Sequence, residues 1–125
     1  MFKISKVIPL QEEICIVPFG DIHYGNENCR LDKFKRLIEW AIPKENVYLI
    51  GMGDLIDCIT PKDDRYQADE EDGYTPIDDL KDEITEILIP IKNRILFMLM
   101  GNHEYHMKED GYGDPVKKIC KNLNI

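Results

Sequence analysis

No apolar run in this chain approaches the roughly 20 residues that a membrane-spanning helix requires; the longest, Ile95 to Met100, stops far short. A transmembrane helix is therefore excluded. Only Val7 to Leu10 separate the basic start from Gln11 and two glutamates, too little for the apolar region of a signal peptide. The chain is thus expected to begin near Met1 and to stay in the cytoplasm. Cysteine is sparse and scattered: Cys15, Cys29, Cys58 and Cys120 form no C-x-x-C pair, which excludes a zinc ribbon and a dithiol redox motif and leaves reduced thiols. Positive charge is also short, with 16 Lys+Arg against 24 Asp+Glu, a net of 16 − 24 = −8. That deficit is local, because residues 63–86 hold eleven acids and two bases (−9), leaving 13 acids and 14 bases elsewhere (+1). An anionic substrate remains compatible with a site remote from that segment. No basic, aromatic-lined track for single-stranded nucleic acid is evident. There is no internal repeat and no low-complexity tract. What is present is one modest domain of 125 residues, long enough to bury a core without disulfides or a structural metal.

Periodicity divides the chain into alternating strands and helices. Residues 13–20 (EICIVPFG) read as a buried strand, with residues 2–10 as a preceding edge strand because of Pro9. Phe34, Leu37, Ile38 and Ala41 fall at i, i+3, i+4 and i+7, predicting an amphipathic helix over 31–41. Residues 46–50 (NVYLI) predict a second buried strand and 95–100 (ILFMLM) a third. Between them, residues 60–74 carry no periodicity and many charges, the pattern of a mobile acidic loop. Thr75-Pro76 reads as a cap and first position for a helix whose stripe runs from Ile77 to Ile91, with Pro90 limiting it. Asp114-Pro115 repeats that signal and opens a last helix. Such alternation predicts an α/β fold with a mostly parallel sheet.

Each strand is followed by glycine and then polar residues able to bind metal: Gly20-Asp21-Ile22-His23, Gly53-Asp54 and Gly101-Asn102-His103. Singly, each is ordinary turn or helix-cap chemistry. In a parallel sheet, however, the carboxyl ends of all strands lie along one edge, where ligands bind. Asp21 and His23, two apart on an extended segment, would project to the same side. Three such ends in one chain therefore point to a shared metal site.

At these motifs the chain resembles the calcineurin-like metallophosphoesterase superfamily, whose first three motifs are D-x-H, G-D and G-N-H-[D/E]. The strings GDIHYGNENC, GDLID, TPIDDLKDEITEILIPIKNRI and GNHE further resemble a phage and prophage branch. The resemblance implies the N-terminal half of an αββα sandwich and a phosphomonoester or phosphodiester as substrate. It implies two divalent ions, of which Mn, Fe or Zn suit mixed imidazole and carboxylate ligands. Asp21 and His23 would bind the first ion, Asp54 would bridge both and Asn102 would bind the second. His103 would face the leaving-group oxygen as catalytic residue.

The superfamily's later motifs, a further His and G-H-x-H, have no counterpart after Glu104, where His106 is the one remaining histidine. His106 reads as a surface residue rather than a substitute ligand, and Asp57 reads equally as a support for the ligands or as a helix residue. Tyr24 and the acidic run are candidates for the pocket border, against the plainer reading of a solvated surface. The chain is accordingly expected to correspond to half of a larger domain, its sheet covered by the missing half or by a second copy in a homodimer. The rival expectations are a non-catalytic metal-binding remnant or interaction module and, at the level of substrate, a DNA-processing nuclease. Tyr24 and Cys58 depart from the G-D-x-H-G and G-D-x-V-D-R-G motifs of Ser/Thr protein phosphatases, which disfavours that activity.

Overall fold

The computed structural model describes residues 6–9, 12–60 and 77–125. β1 (Cys15–Phe19), β2 (Val47–Gly51) and β3 (Ile95–Met98) form a parallel sheet in the order β1-β2-β3. Parallel neighbours need a crossover rather than a hairpin. α1 (Leu31–Ala41) supplies it between β1 and β2, and α2 (Ile77–Leu88) with a 3₁₀ segment (Ile89–Arg94) supplies it between β2 and β3. α3 (Asn102–Glu109) and α4 (Pro115–Leu123) follow.

Local chemistry accounts for most of these elements. α1 buries Phe34, Ile38 and Ala41, the predicted apolar stripe. α4 starts where the Asp114 carboxylate accepts the Lys117 N–H at 2.8 Å and Pro115 takes the first helical position. It ends at Asn124, left-handed at φ 59°. α2 gives way to the 3₁₀ segment around Pro90, which has no N–H to continue the ladder.

Phe19, Val47, Leu49 and Ile95 present one sheet face to Phe34 and Ile38 of α1, Ile84 and Leu88 of α2, and Ile119 and Leu123 of α4. Alternation along the strands turns Ile16, Pro18 and Ile50 to the other face, where Ile16 keeps 51% of its surface exposed. Register is regular from Cys15↔Val47 to Phe19↔Gly51, whereas β2 and β3 slip between Leu49 and Ile50, so that Leu49 pairs Ile95 but Ile50 pairs Phe97. Arg94, ahead of β3, donates to the carbonyls of Ala41 and Ile42 at 2.9 Å each, to Val47 at 3.3 Å and to Lys44. It thereby ties the end of α1 and the turn into β2 to the third strand.

The α/β architecture agrees with the sequence expectation, and three details differ. β1 starts two residues later and ends one earlier than expected, β2 is shifted one residue on and takes Gly51 into the ladder, and β3 ends at Met98, two residues before the expected Met100. Residues 102–109, for which the periodicity predicts no element, form α3. Residues 6–9 are not in a strand; the rest of the expected 2–10 strand, the Thr75-Pro76 helix start and residues 61–74 of the acidic loop lie outside the described residues. No helix among the described residues is long and apolar enough to cross a membrane.

Candidate metal centre

The carboxyl ends of the three strands are joined by backbone hydrogen bonds that continue beyond the sheet. Asp21 N–H donates to Gly53 O at 3.1 Å, and the N–H groups of Ile22 and His23 both donate to Asp54 O, at 2.8 and 3.0 Å. Tyr24 N–H donates to Leu55 O at 2.9 Å, and Asp57 N–H returns to Tyr24 O at 3.0 Å. Asp21 (φ 51°), His23 (φ 49°) and Asp54 (φ 52°) are all left-handed. The D-x-H pair is therefore not extended, and simple alternation does not explain why its side chains face each other. Two left-handed residues flanking Ile22 do, placing His23 Nε2 3.9 Å from Asp21 Oδ1. Glycine is required at two points: Gly53 sits at φ 92° and a methyl group there would overlap the Gly101 backbone, while one on Gly101 would overlap the Asp54 carboxylate.

Two overlapping clusters result. Ligand atoms of Asp21, His23 and Asp54 lie within 4.8 Å of one another, and so do those of His23, Asp57 and His103. His23 is common to both. Asp57 Oδ1 stands 3.5 Å from His23 Nδ1 and 3.4 Å from His103 Nδ1, and the two rings meet edge to face at 4.6 Å. The Asp57 side chain is 3% exposed and its other oxygen accepts from Asn26 Nδ2 at 2.9 Å, so Asp57 is a buried support between two histidines and not a helix residue. Asp54 Oδ1 accepts the His103 N–H at 3.0 Å. Asn102 is exposed at the first position of α3, beside His103, and His106 is exposed one turn further on.

Sequence reasoning passed over one residue, Glu104. It is fully buried, and its carboxylate accepts the N–H groups of Asp54 (2.8 Å), Gly101 (2.9 Å), Leu55 (2.6 Å) and Ile56 (3.3 Å). A glutamate three positions after a helix cap is the reaching-back half of a capping box, the signal that could have found it. Beside it, the buried Cys58 thiol is pushed up to about 12, by desolvation first and then by the charges of Glu104, Asp57 and Asp54. Tyr24 is likewise raised to about 12, by burial and by its hydrogen bond to Glu83, which also pairs with Lys35 at 3.3 Å. Tyr24 thus anchors the β1 exit to α2.

Imidazole nitrogens and carboxylate oxygens converging within a few ångströms are a donor set that could hold a divalent cation. The clusters open into a concavity of about 440 Å³ lined by His23, Asn26, Arg30, Asp57 and His103. A second groove of about 350 Å³, between β1 and α1, shares Asp21, Ile22 and Arg30 with it. The family model described as calcineurin-like phosphoesterase matches residues 16–124, nearly the whole described fold. No curated protein and no solved structure matches the chain.

Proposed function

The chain belongs to the calcineurin-like phosphoesterase family, a family of metal-dependent hydrolases, and we propose that it hydrolyses a phosphomonoester or phosphodiester at the strand-end centre. In this reading Asp21, His23, Asp54 and Asn102 hold two divalent ions, with Asp54 shared between them, and His103 meets the leaving group. Ions held there supply Lewis acidity, which polarises a phosphoryl oxygen and makes a water nucleophilic near neutral pH.

The residues themselves divide the remaining work. His103 Nδ1 faces the Asp57 backbone oxygen at 3.2 Å and its carboxylate at 3.4 Å, which fixes the ring and leaves Nε2 to carry the proton delivered to the departing oxygen. Asp54 has a ligand atom within 4.8 Å of those of Asp21 and His23, and its Oδ1 accepts the His103 N–H, which supports reading it as the shared ligand. Arg30 stands on the rim of both concavities, paired there with Asp32.

The observation that carries this reading is the convergence of Asp21, His23 and Asp54, from two strand ends, onto the cluster containing His103 from the third. Hydrolysis of p-nitrophenyl phosphate and bis(p-nitrophenyl) phosphate with added Mn²⁺ tests it, and preference between them separates monoester from diester chemistry. Asp54→Asn and His103→Ala are each expected to lower kcat by about 10²-fold or more. Activity that survives both substitutions overturns the site. The 87% exposure of the Asp21 side chain favours a second reading, a metal-binding module without turnover. Mn²⁺ binding without hydrolysis of either ester would select it.

A further inference from the structure

We propose that Glu104 is a positioning residue of the centre, its buried carboxylate holding Asp54 and the Gly101-to-His103 turn in the arrangement that metal and substrate require. The proposal rests on the phosphoesterase reading, in which Asp54 is the shared ligand. Glu104 belongs to neither cluster of candidate ligands, so it acts through other residues. Its chemistry follows from the backbone around it. At Gly53 and Asp54 the chain turns left-handed out of β2, at φ 92° and 52°, and the next N–H groups lose their ladder partners. Three successive N–H groups, of Asp54, Leu55 and Ile56, then face one point, a concavity of the kind that binds anions. Glu104 fills that concavity from inside the protein and adds the N–H of Gly101 from the exit of β3.

An apolar residue here would strand four donors, those of Leu55 and Ile56 buried and those of Asp54 and Gly101 partly so, and no ion pair to a basic side chain is seen for Glu104 among the described residues, so the four N–H groups are what offset the burial of its charge. Both oxygens are engaged twice. Glutamine cannot reproduce this, because its amide nitrogen would aim donors at donors. Aspartate keeps the acceptors but lacks the reach of one methylene. Displacement of Asp54 would spread to all three strand ends, because its carbonyl takes the Ile22 and His23 N–H groups and its Oδ1 takes that of His103.

The test compares full-length wild type, Glu104→Gln and Glu104→Asp, reading fold by circular dichroism, Mn²⁺ affinity by calorimetry and kinetics on bis(p-nitrophenyl) phosphate. The expected result for Glu104→Gln is a folded protein, well below its melting temperature, with Mn²⁺ affinity and kcat each lowered about tenfold or more and KM little changed. Glu104→Asp recovers part of both. A folded Glu104→Gln with wild-type affinity and kcat overturns the proposal. Should Glu104→Gln not fold, Glu104→Asp decides: weakened Mn²⁺ binding on an intact fold supports positioning, and unchanged binding alongside shifted Asp54 and Gly101 amide resonances overturns it. Failure of both to fold assigns Glu104 to folding alone and overturns the role too. Wild type that binds no Mn²⁺ counts against the phosphoesterase reading and takes the positioning role with it, whereas normal wild-type binding matched by the variants counts against Glu104 only.

Discussion

Asp21, His23, Asp54 and Cys58 are four of the five left-handed non-glycine residues among those described, and all four lie where chain leaves β1 or β2. Left-handed backbone at such residues costs on the order of 1–3 kcal/mol each and persists where the surroundings over-determine it. Here the surroundings are the cross-links from Gly53 O, Asp54 O and Glu104. Charge at the rim is arranged as locally. Arg30 grips Asp32 through two hydrogen bonds, at 2.9 and 3.0 Å, and this grip holds the Asp32 carboxyl at about 2, below its usual range. Because the folded value is depressed, the stabilisation it represents is complete above the ordinary carboxylate range and lost as pH falls toward the folded value. An NMR titration of the Asp32 carboxyl carbon is expected to move upward in Arg30→Met, toward an ordinary aspartate. Urea unfolding between about pH 4 and 2 should correspondingly fall less steeply in that variant. An unmoved titration would show that the pair is not maintained in solution.

Elements whose cause is local were legible in the sequence. α1 occupies the predicted 31–41, because its stripe of Phe34, Ile38 and Ala41 repeats at helical spacing. α4 begins at Asp114-Pro115 for equally local reasons, a side-chain cap and a proline without an N–H. Asp114→Ala is expected to lower stability by about 1 kcal/mol, measurable as a decrease in melting temperature, while Asp114→Asn should lose little of it. α3 was not legible. Its eight residues bury only Glu104 and Met107, so no apolar stripe announces it. What starts α3 is a glycine cap whose N–H is taken by Glu104, and what fixes Glu104 is the turn after β2, about fifty residues earlier in the chain. The D-x-H pair was read correctly as convergent but for the wrong cause, since the left-handed backbone at Asp21 and His23 depends on carbonyls of the second strand exit.

Across the molecule, helices on one sheet face and hydrogen bonds at the strand exits keep three distant segments in register. Arg94 is the counterpart, at the opposite end of the strands, of what Glu104 does at the centre: its planar fork gathers carbonyls of Ala41, Ile42, Lys44 and Val47, where the end of α1 leaves acceptors without helical partners. Arg94→Met is expected to cost about 1.5–3 kcal/mol in urea unfolding, and Arg94→Lys to restore little, because a point charge cannot match the fork. A loss within a few tenths of a kcal/mol would mean that water replaces the guanidinium without penalty. Strand and helix order, the parallel sheet and the presence of the metal-capable side chains of Asp21, His23, Asp54 and His103 beyond the strand ends were readable from one dimension, since apolar period, caps and side-chain type are properties of neighbouring residues. The tertiary structure alone decided that Asp57 stands between two histidines and that Glu104 collects four backbone donors. A carboxylate has the same formula in a solvated loop and in a buried clamp, and its role is set by which imidazole or N–H the fold brings to it.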